Sequence, residues 1–422
     1  MYTVHELIGA NYSTNEADYM FQMIEILKEK TEALRRGDFP DVESVYTNDA
    51  DKGIRLVTNI DEALPPFDEV ADLLYPHWEE FAAALEHFKP VFDRLPNDCK
   101  SFISFTNVQL IRHNTQRINE ALRSTPFTRF HFQQNCQLHG GISTLAAMME
   151  NNTLLQQLEL HRIQDMDRND IAELSSVIHR HPSLVDVEFD ECFSDGLGDD
   201  MLRLLLRAGD DLKLERLSMP RNHLRGSQTG FNVWTLLADF LATNPRLTSL
   251  QFDENYLDDN DVALIANALR SNTTLTYLGI GGNNGTNDGV EQFFTVLYDK
   301  NSLNSTADSN HSCSIDADSI MIENGVSLWN SDSREVNRAQ KIYSLLSIRN
   351  KTMSNAQHFG DMDINLLPRL LEVVQKYSRL MEEDEDDVVQ VKALSIVYEI
   401  MRRWDKVSPL YKSLGDHVHT IG

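Results

Sequence analysis

The chain has 422 residues, of which 65 are acidic and 38 basic, so its formal net charge is −27. Hydrophobic residues make up 41% and aromatic residues 8%, which excludes wholesale disorder because disordered chains are poorer in both. The charge disfavours nucleic acid as a partner, because the lysines and arginines are dispersed and form no basic stripe, so we expect no nucleic-acid-binding surface. No apolar run approaches the ~20 residues of a membrane helix. The opening stretch lacks a signal-peptide pattern, so we expect a cytoplasmic protein, or a nuclear one.

The first 98 residues carry no repeat and are predicted to form a helical cap. Glu16–Arg36 is predicted to be an amphipathic helix, and Phe67–Leu95 is predicted to be one or two helices interrupted at its two prolines. The acidic stretch Asp38–Glu62 between them is predicted to be a loop. A solenoid needs such a cap because its first repeat exposes an apolar edge. A separate partner-binding helical module is the alternative.

From about residue 99 the chain repeats a nine-residue pattern of apolar and asparagine positions, LxxLxLxxN/C. Six segments fit it at offsets of 28 to 33 residues, and they begin at Phe127, Leu155, Leu184, Leu214, Leu247 and Leu275. Two degraded copies are Cys99–Asn107 and Leu303–His311. The apolar–polar–apolar centre of each copy predicts a short strand with one face turned inward.

The ninth position of the pattern follows the strand, and it is Asn135, Asn222, Asn255 or Asn283, with Cys192 in one copy. An amide side chain both donates and accepts hydrogen bonds, so it is predicted to satisfy backbone groups where the chain turns. Apolar residues at i, i+3, i+4 and i+7 follow most of the strands. This spacing predicts a helix in each repeat.

A single unit of about 28 residues cannot fold alone, because ordering its backbone costs more than burying its apolar side chains contributes. Neighbouring units are therefore predicted to stack, so that their strands join one parallel sheet. Strands lie ~4.8 Å apart while helices need ~10 Å. The sheet is therefore predicted to be concave and the helices convex, as in a horseshoe.

The last part of the chain departs from the repeat and is predicted to be helical. Helices are predicted at Arg334–Leu346, Ile364–Met381 and Asp387–Trp404. Six consecutive acids, Glu382–Asp387, are predicted to form a solvated loop because like charges repel. They lack the spaced ligands and the turn-forming glycine of a calcium-binding loop.

The pattern LxxLxLxxN/CxL, with a helix in each copy, resembles the leucine-rich repeat family of the ribonuclease-inhibitor-like type. The resemblance covers about residues 99–311, and it implies a protein-binding scaffold with diverse partners. The predicted fold is an α/β horseshoe with a parallel concave sheet and convex helices. Its predicted parts are a helical N-terminal cap over residues 1–98, leucine-rich repeats over 99–312 and a helical C-terminal region over 313–422.

Motifs of catalysis are missing, since the chain has no GxxxxGK(S/T), GxSxG or HExxH segment. The glycine-rich Gly279–Gly285 follows a repeat strand, so a wide turn is predicted there rather than a phosphate cradle. Four histidines, His131, His161, His179 and His181, recur in neighbouring repeats, but the last two fall near predicted helix ends. No metal site, cofactor or catalytic residue is therefore predicted.

Twelve residues between and after the strand anchors are predicted to point outward from the core and to bind a partner. They are Arg129, His131, Glu159, His161, Asp186, Glu188, Asp190, Arg216, Arg221, Gln251, Asp253 and Tyr277. If the strands align, Glu159, Glu188 and Asp190 lie within ~5–10 Å of one another, and their repulsion favours a cationic partner. The alternative is a solvated sheet face without a partner.

These patterns favour a non-enzymatic scaffold that binds a protein with a basic patch through the concave face. The alternative is a small-GTPase activator, because Ran GTPase-activating proteins resemble the chain in repeat type and acidic charge. Their acidic stretch is typically a long tail after the repeats, whereas here six acids are followed by more predicted helix. No arginine can be assigned as catalytic, and the pattern leaves the oligomeric state open.

Overall fold

A computed structural model describes residues 13–43, 51–59, 67–92, 100–110, 112–124, 127–133, 137–138, 141–163, 166–194, 196–207, 212–226, 232–316, 330, 332–351 and 362–380. The helices are α1 (Thr14–Arg36), α2 (Phe67–His87), α3 (Lys89–Phe92), α4 (Arg112–Ser124), α5 (Ile142–Asn151), α6 (Arg168–Arg180), α7 (Leu197–Leu206), α8 (Val233–Ala242), α9 (Asp259–Leu269), α10 (Asn287–Leu297), α11 (Leu303–Asp308), α12 (Arg334–Lys351) and α13 (Leu367–Leu380). The strands are β1 (Asp41–Glu43), β2 (Asp51–Val57), β3 (Ser101–Thr106), β4 (Gln109–Leu110), β5 (Arg129–Gln133), β6 (Gln137–Leu138), β7 (Gln157–His161), β8 (Asp186–Asp190), β9 (Arg216–Ser218), β10 (Ser249–Gln251), β11 (Tyr277–Gly279) and β12 (Ser314–Asp316).

The chain divides into two compact units, and the first consists of Met1–Phe240, Pro245–Leu257 and Gly279–Asn283. Its main sheet has the strand order β1-β2-β3-β5-β7-β8-β9-β10, in which β1 is antiparallel to β2 and the other neighbours are parallel. The register sets one inward residue of each repeat side by side: Phe130, Leu158, Val187, Leu217 and Leu250. The predicted parallel ladder is confirmed for these strands. Parallel strands that alternate with helices fit a leucine-rich repeat fold.

The inward-facing side chains of the parallel strands form the core of the first unit. Phe132, Leu160 and Phe189 are all 0% exposed, and the ring of Phe132 stacks on Phe105 with 5.2 Å between centroids. Their neighbours along β5, β7 and β8 are mostly half-buried, as the two-residue period of a strand predicts. Burying each of these large side chains contributes about 2–3 kcal/mol.

The asparagines at the ninth position of the pattern form a row inside the turns that follow the strands. Asn222 accepts hydrogen bonds from the backbone of Cys192 (2.9 Å) and donates to Phe189 (2.7 Å). Asn255 accepts from the backbone of Asn222 at 3.0 Å, and Asn283 accepts from that of Asn255 at 3.1 Å. The predicted role of the amide is confirmed here, while Asn135 lies outside the described residues.

The stretch Asp38–Glu62 was predicted to be a loop, and this prediction was wrong because it contains β1 and β2. β2 is parallel to β3, and its inward residues Ile54 and Leu56 are 0% exposed. A side chain at Gly53 would meet the backbone and ring of Phe102, so only glycine permits this approach of the two strands. The segment has Ile54, Leu56 and Asn59 at the fourth, sixth and ninth positions of the repeat pattern, but Asp51 stands at the first apolar position, so it matches the pattern only in part.

The second unit consists of Leu241–Asn244, Asp258–Leu278 and Asn284–Gly422. Within it α9 packs on α10, and α12 packs on both α11 and α13. The apolar core between the last three helices includes Leu303, Leu346, Leu370 and Val374. The backbone N–H of Ser314, at the start of β12, donates to the carbonyl of Thr276 at 2.8 Å.

The degraded copy Leu303–His311 was predicted to include a strand, and this prediction was also wrong. Leu303–Asp308 is a helix, because Ser302 caps its first turn by accepting a hydrogen bond from the backbone N–H of Ser305 at 2.9 Å. The strand of this region is β12, in which Ile315 is 0% exposed. The apolar residue that anchors a strand thus lies later in the chain than the motif suggested.

The helices predicted outside the repeats are largely present. α1, α2, α12 and α13 lie where they were predicted, although α2 continues through Pro76 instead of stopping there. The predicted helix Asp387–Trp404 and the acidic loop Glu382–Asp387 lie outside the described residues. The boundaries at residues 98 and 313, and the role of the flanks as caps, stay predictions. Among the helices described, none has the length and apolar character needed to cross a bilayer.

The buried His311 predicts an acid-sensitive second unit. Its side chain is 2% exposed, and burial, with a smaller effect of Lys341, lowers its pKa to about 3. The unfolded value is ~6.5, so the stability that neutral His311 contributes is full above pH 6.5 and is lost as the pH falls towards 3. Between pH 7 and pH 5.5 the contribution of His311 to the free energy of unfolding should fall by about 1 kcal/mol.

Urea unfolding at the two pH values measures this loss. His311→Asn has no imidazole to protonate, so lowering the pH from 7 to 5.5 should cost this variant about 1 kcal/mol less unfolding free energy than it costs the parent chain. His223→Asn, at an exposed histidine, is the matched control and should keep the parent's pH dependence. An equal pH dependence in the parent and His311→Asn would remove His311 as its source.

Candidate functional site

The candidate site is the side of the sheet that faces away from the core of the first unit. We call it the outer sheet face and define it by the outward residues of β5, β7, β8 and β9, together with Arg221. These are Arg129, His131, Glu159, His161, Asp186, Glu188, Asp190, Arg216 and Arg221, nine of the twelve residues predicted from the sequence. Most are half-buried. Their side chains pack against those of the neighbouring strands, and part of each side-chain surface stays accessible to a ligand.

The parallel register brings these residues into rows across the strands. His131 pairs with Glu159, and Glu159 pairs with Glu188, so three polar side chains lie side by side. His161 pairs with Asp190 in the next row, two residues further along the same strands. The rings of His131 and His161 meet edge to face with 4.9 Å between centroids. The predicted alignment of Glu159, Glu188 and Asp190 on adjacent strands is therefore present.

Two hydrogen bonds and one close histidine–carboxylate contact hold the centre of this face. Oγ of Ser104 lies 3.1 Å from Nδ1 of His131, and Nε2 of Gln157 donates to Oε1 of Glu159 at 2.6 Å. Nε2 of His161 lies 3.1 Å from Oε1 of Glu188. Side chains held by such bonds keep one orientation, which pre-organises the face for binding.

Arginines pair with two of the acids instead of merely flanking them. Arg216 bonds Asp186 through Nη2 at 2.7 Å, and Arg221 bonds Asp190 through Nη2 at 2.5 Å. The carboxylates are only 11% and 13% exposed, so the pairs are partly shielded from water. The open acidic charge of the outer sheet face is therefore smaller than the sequence suggested.

Protonation at the centre of the face departs from the usual values. Burial raises the pKa of Glu159 to about 7, with Arg129 opposing this shift and Glu188 adding to it. Burial lowers the pKa of His161, but its hydrogen bond to Glu188 outweighs that effect and the net shift is upward. Burial likewise raises the pKa of Asp186 against the opposing effect of Arg216. Near neutral pH, Glu159 is thus poised between its two forms.

A row of charges at the end of the strands was not predicted to form contacts. Arg162, Glu191, Arg221 and Glu254 occupy the same position in successive repeats, and each has a φ of 53–56°. Arg162 bonds Glu191 at 2.9 Å, and Arg221 bonds Glu254 at 3.1 Å. The sequence feature that could have indicated these contacts is the charge of the residue just before Cys192, Asn222 and Asn255, which alternates between negative and positive. These exposed pairs are worth little individually.

The remaining three predicted residues lie apart from this centre or in the second unit. Gln251 is half-buried on β10. Asp253 follows that strand, and its Oδ1 accepts a hydrogen bond from the backbone of Gly281 at 2.7 Å. Tyr277 belongs to the second unit, where its hydroxyl lies 3.4 Å from Oδ2 of Asp316. The glycine-rich segment after β11 begins with a turn, as predicted.

The positions of the four histidines differ from what the prediction of no metal site assumed, because two of them lie close together. His179 and His181 lie at the end of α6, away from the strands, as predicted. His131 and His161 nevertheless come together, with Glu159 between them. One ligating atom from each of these three lies within 4.8 Å of the others, and the same holds for His161, Glu188 and Asp190. The spacing of the four histidines in the sequence does not reveal that Glu159 lies between two of them.

Comparisons with known proteins give little beyond this geometry. No family model and no curated protein matches the chain. Among solved structures the chain is similar to an internalin (InlF) from Listeria monocytogenes, at 18% identity and a TM-score of 0.27. The match covers 49% of this chain and 48% of that one, so the chain matches about half the internalin's length. A likeness of this size supports no inference about activity or partners.

Proposed function

We propose that the chain is a non-enzymatic leucine-rich repeat scaffold of the ribonuclease-inhibitor-like type that binds a protein through the outer sheet face. The observation that carries the proposal is the pairing of Glu159 with Glu188 on adjacent parallel strands. Carboxylates in directly opposite positions repel each other, and a bound lysine or arginine would relieve the repulsion. The partner is therefore a protein with a basic patch. A cytoplasmic or nuclear location is part of the same proposal.

The distribution of charge supports a cationic ligand over an anionic one. Arg216 and Arg221 already bond carboxylates of this chain, and Arg129 lies 3.8 Å from Asp51. An acidic partner would have to break these pairs, two of which involve strongly buried carboxylates. A basic partner would instead add a charge beside Glu188, whose side chain is 32% exposed. In the row formed by His131, Glu159 and Glu188, Glu188 is thus the acid that a partner can reach.

The sharpest test reverses the charge of Glu188 alone. Glu188→Lys should weaken binding of the partner at least tenfold, about 1.4 kcal/mol, because it places a cation where the basic patch docks. Asp190→Lys is less informative, since it also breaks the pair with Arg221. The partner is first captured from the native cell with the full chain and identified by mass spectrometry, and its affinity is then measured by calorimetry.

Glu173→Lys is the matched control, because it makes the same charge change on an exposed helical position of α6. It should leave the affinity unchanged, and both variants should melt within a few degrees of the parent chain. Binding of the parent should also weaken as salt is raised. If Glu188→Lys binds as well as Glu173→Lys does, the partner uses another surface. The GTPase-activating alternative stays a prediction, since no observation in the structure favours it.

A further inference from the structure

Two histidines and a glutamate converge on the outer sheet face in an arrangement that suits a metal ion. A ring nitrogen of His131, a ring nitrogen of His161 and a carboxylate oxygen of Glu159 lie within 4.8 Å of one another. All three side chains are half-buried. They come from two adjacent parallel strands, so the backbone hydrogen bonds of β5 and β7 fix their spacing.

Each member of this triad has a polar neighbour that orients it. Ser104 contacts Nδ1 of His131 at 3.1 Å, so Nε2 is the ring nitrogen directed away from that hydroxyl. Nε2 of Gln157 donates to Oε1 of Glu159 at 2.6 Å, and Oε1 of Glu188 lies 3.1 Å from Nε2 of His161. A ligating histidine usually has a carboxylate, a backbone carbonyl or a water on its second ring nitrogen, and this partner fixes the orientation of the ring.

The neighbouring set of His161, Glu188 and Asp190 is a weaker candidate. Arg221 donates to Oδ2 of Asp190 at 2.5 Å, so a metal cation there would face a guanidinium and compete with it. Glu188 then serves as the orienting partner of His161 instead of a ligand. Arg129 acts electrostatically on Glu159, but its charge is shared with Asp51, 3.8 Å away.

We propose that His131, Glu159 and His161 bind a divalent transition-metal cation of the Zn²⁺ class, with Glu188 orienting His161. Two imidazoles and one carboxylate form a common three-ligand set for zinc that keeps a further position open. Zn–N bonds of about 2.0–2.1 Å put the ligand atoms of a tetrahedral site about 3.4 Å apart, so small side-chain rotations close the triad. Imidazole ligands favour zinc, copper or nickel over magnesium and calcium.

Titration of the full chain with Zn²⁺ alone, followed by calorimetry, tests the site without any partner protein. We expect saturable binding of Zn²⁺ and an upward shift of the melting temperature, with no such effect from Mg²⁺. His161→Gln and Glu159→Gln should each weaken the Zn²⁺ affinity of this site at least tenfold. Glu188→Ala, which removes the orienting carboxylate, should weaken it by about 10–100-fold.

The controls separate this site from other histidines and from damage to the fold. His223→Gln removes an exposed histidine of the first unit and should keep the parent affinity and stoichiometry. Glu159→Gln preserves the shape of the side chain, so its melting temperature without metal should match the parent's. If Zn²⁺ binds neither the parent nor the control, or binds Glu159→Gln and His161→Gln with the parent's affinity and stoichiometry, the proposal is wrong.

Discussion

Asn222→Ala should lower the free energy of unfolding by about 4 kcal/mol. The side chain is 0% exposed and accepts from the backbone N–H groups of Cys192 (2.9 Å) and Phe193 (3.1 Å). It also donates to the carbonyls of Phe189 (2.7 Å) and Pro220 (2.8 Å). Alanine would leave these groups without that partner in a buried turn, and each unsatisfied group costs about 1–3 kcal/mol. Chemical denaturation followed by circular dichroism measures the effect.

Asn169→Ala is the matched control, because that asparagine is exposed at the start of α6 in the same unit. We expect it to change the unfolding free energy by less than about 1 kcal/mol. Hydrogen exchange adds a local readout, since the amides of Cys192 and Phe193 should lose protection in Asn222→Ala. If Asn222→Ala loses no more unfolding free energy than Asn169→Ala does, water replaces the amide without cost. In that case the row of asparagines does not stabilise the turns.

Lys341→Met should destabilise the second unit by about 3 kcal/mol. The lysine is 2% exposed, and its Nζ donates to the carbonyls of Leu297 (2.7 Å) and Asn310 (3.1 Å) and to Oδ1 of Asn330 (2.6 Å). Methionine fills the space but leaves three buried acceptors without this donor, at about 1–3 kcal/mol each. Burial lowers the pKa of Lys341 to about 7, so removing a poorly solvated ammonium offsets part of the loss.

Urea unfolding of the full chain, with hydrogen exchange in α12 as the local measure, tests this prediction. Lys28→Met is the control, because Lys28 lies on α1 of the first unit with its side chain 36% exposed. That control should stay within about 0.5 kcal/mol of the parent. If Lys341→Met matches the parent or exceeds it in stability, the cost of burying the ammonium outweighs its three hydrogen bonds.

The ladder of the first unit was predictable because its rules are local. A two-residue alternation such as Leu158–Glu159–Leu160 selects the inward face of a strand, and this face is buried in β7. The asparagine that follows several of the strands, such as Asn255, has the hydrogen-bonding groups that a turn needs. A stack repeats the same local solution, so the pairing of one strand with the next follows from the period.

The sequence predicted which residues lie on the outer sheet face, but not which of them contact one another. Residues such as Glu188 and Arg216 were expected to point outward, and their placement follows from strand geometry alone. Their partners come from other repeats about 30 residues away, so sequence spacing does not reveal which charge meets which. Two strongly buried acids prove to be paired with arginines, and the central row keeps Glu159 beside Glu188.

Composition, period and motif determined the α/β class, the parallel strands and the asparagine row, because each of these depends on residues close together in the chain or on their exact recurrence. Tertiary packing alone decided that β2 joins the sheet at Gly53, that His131 and His161 meet around Glu159, and that Lys341 holds three carbonyl-type oxygens. The physical reason is that ion pairing, metal geometry and burial depend on distances between side chains that no local pattern encodes.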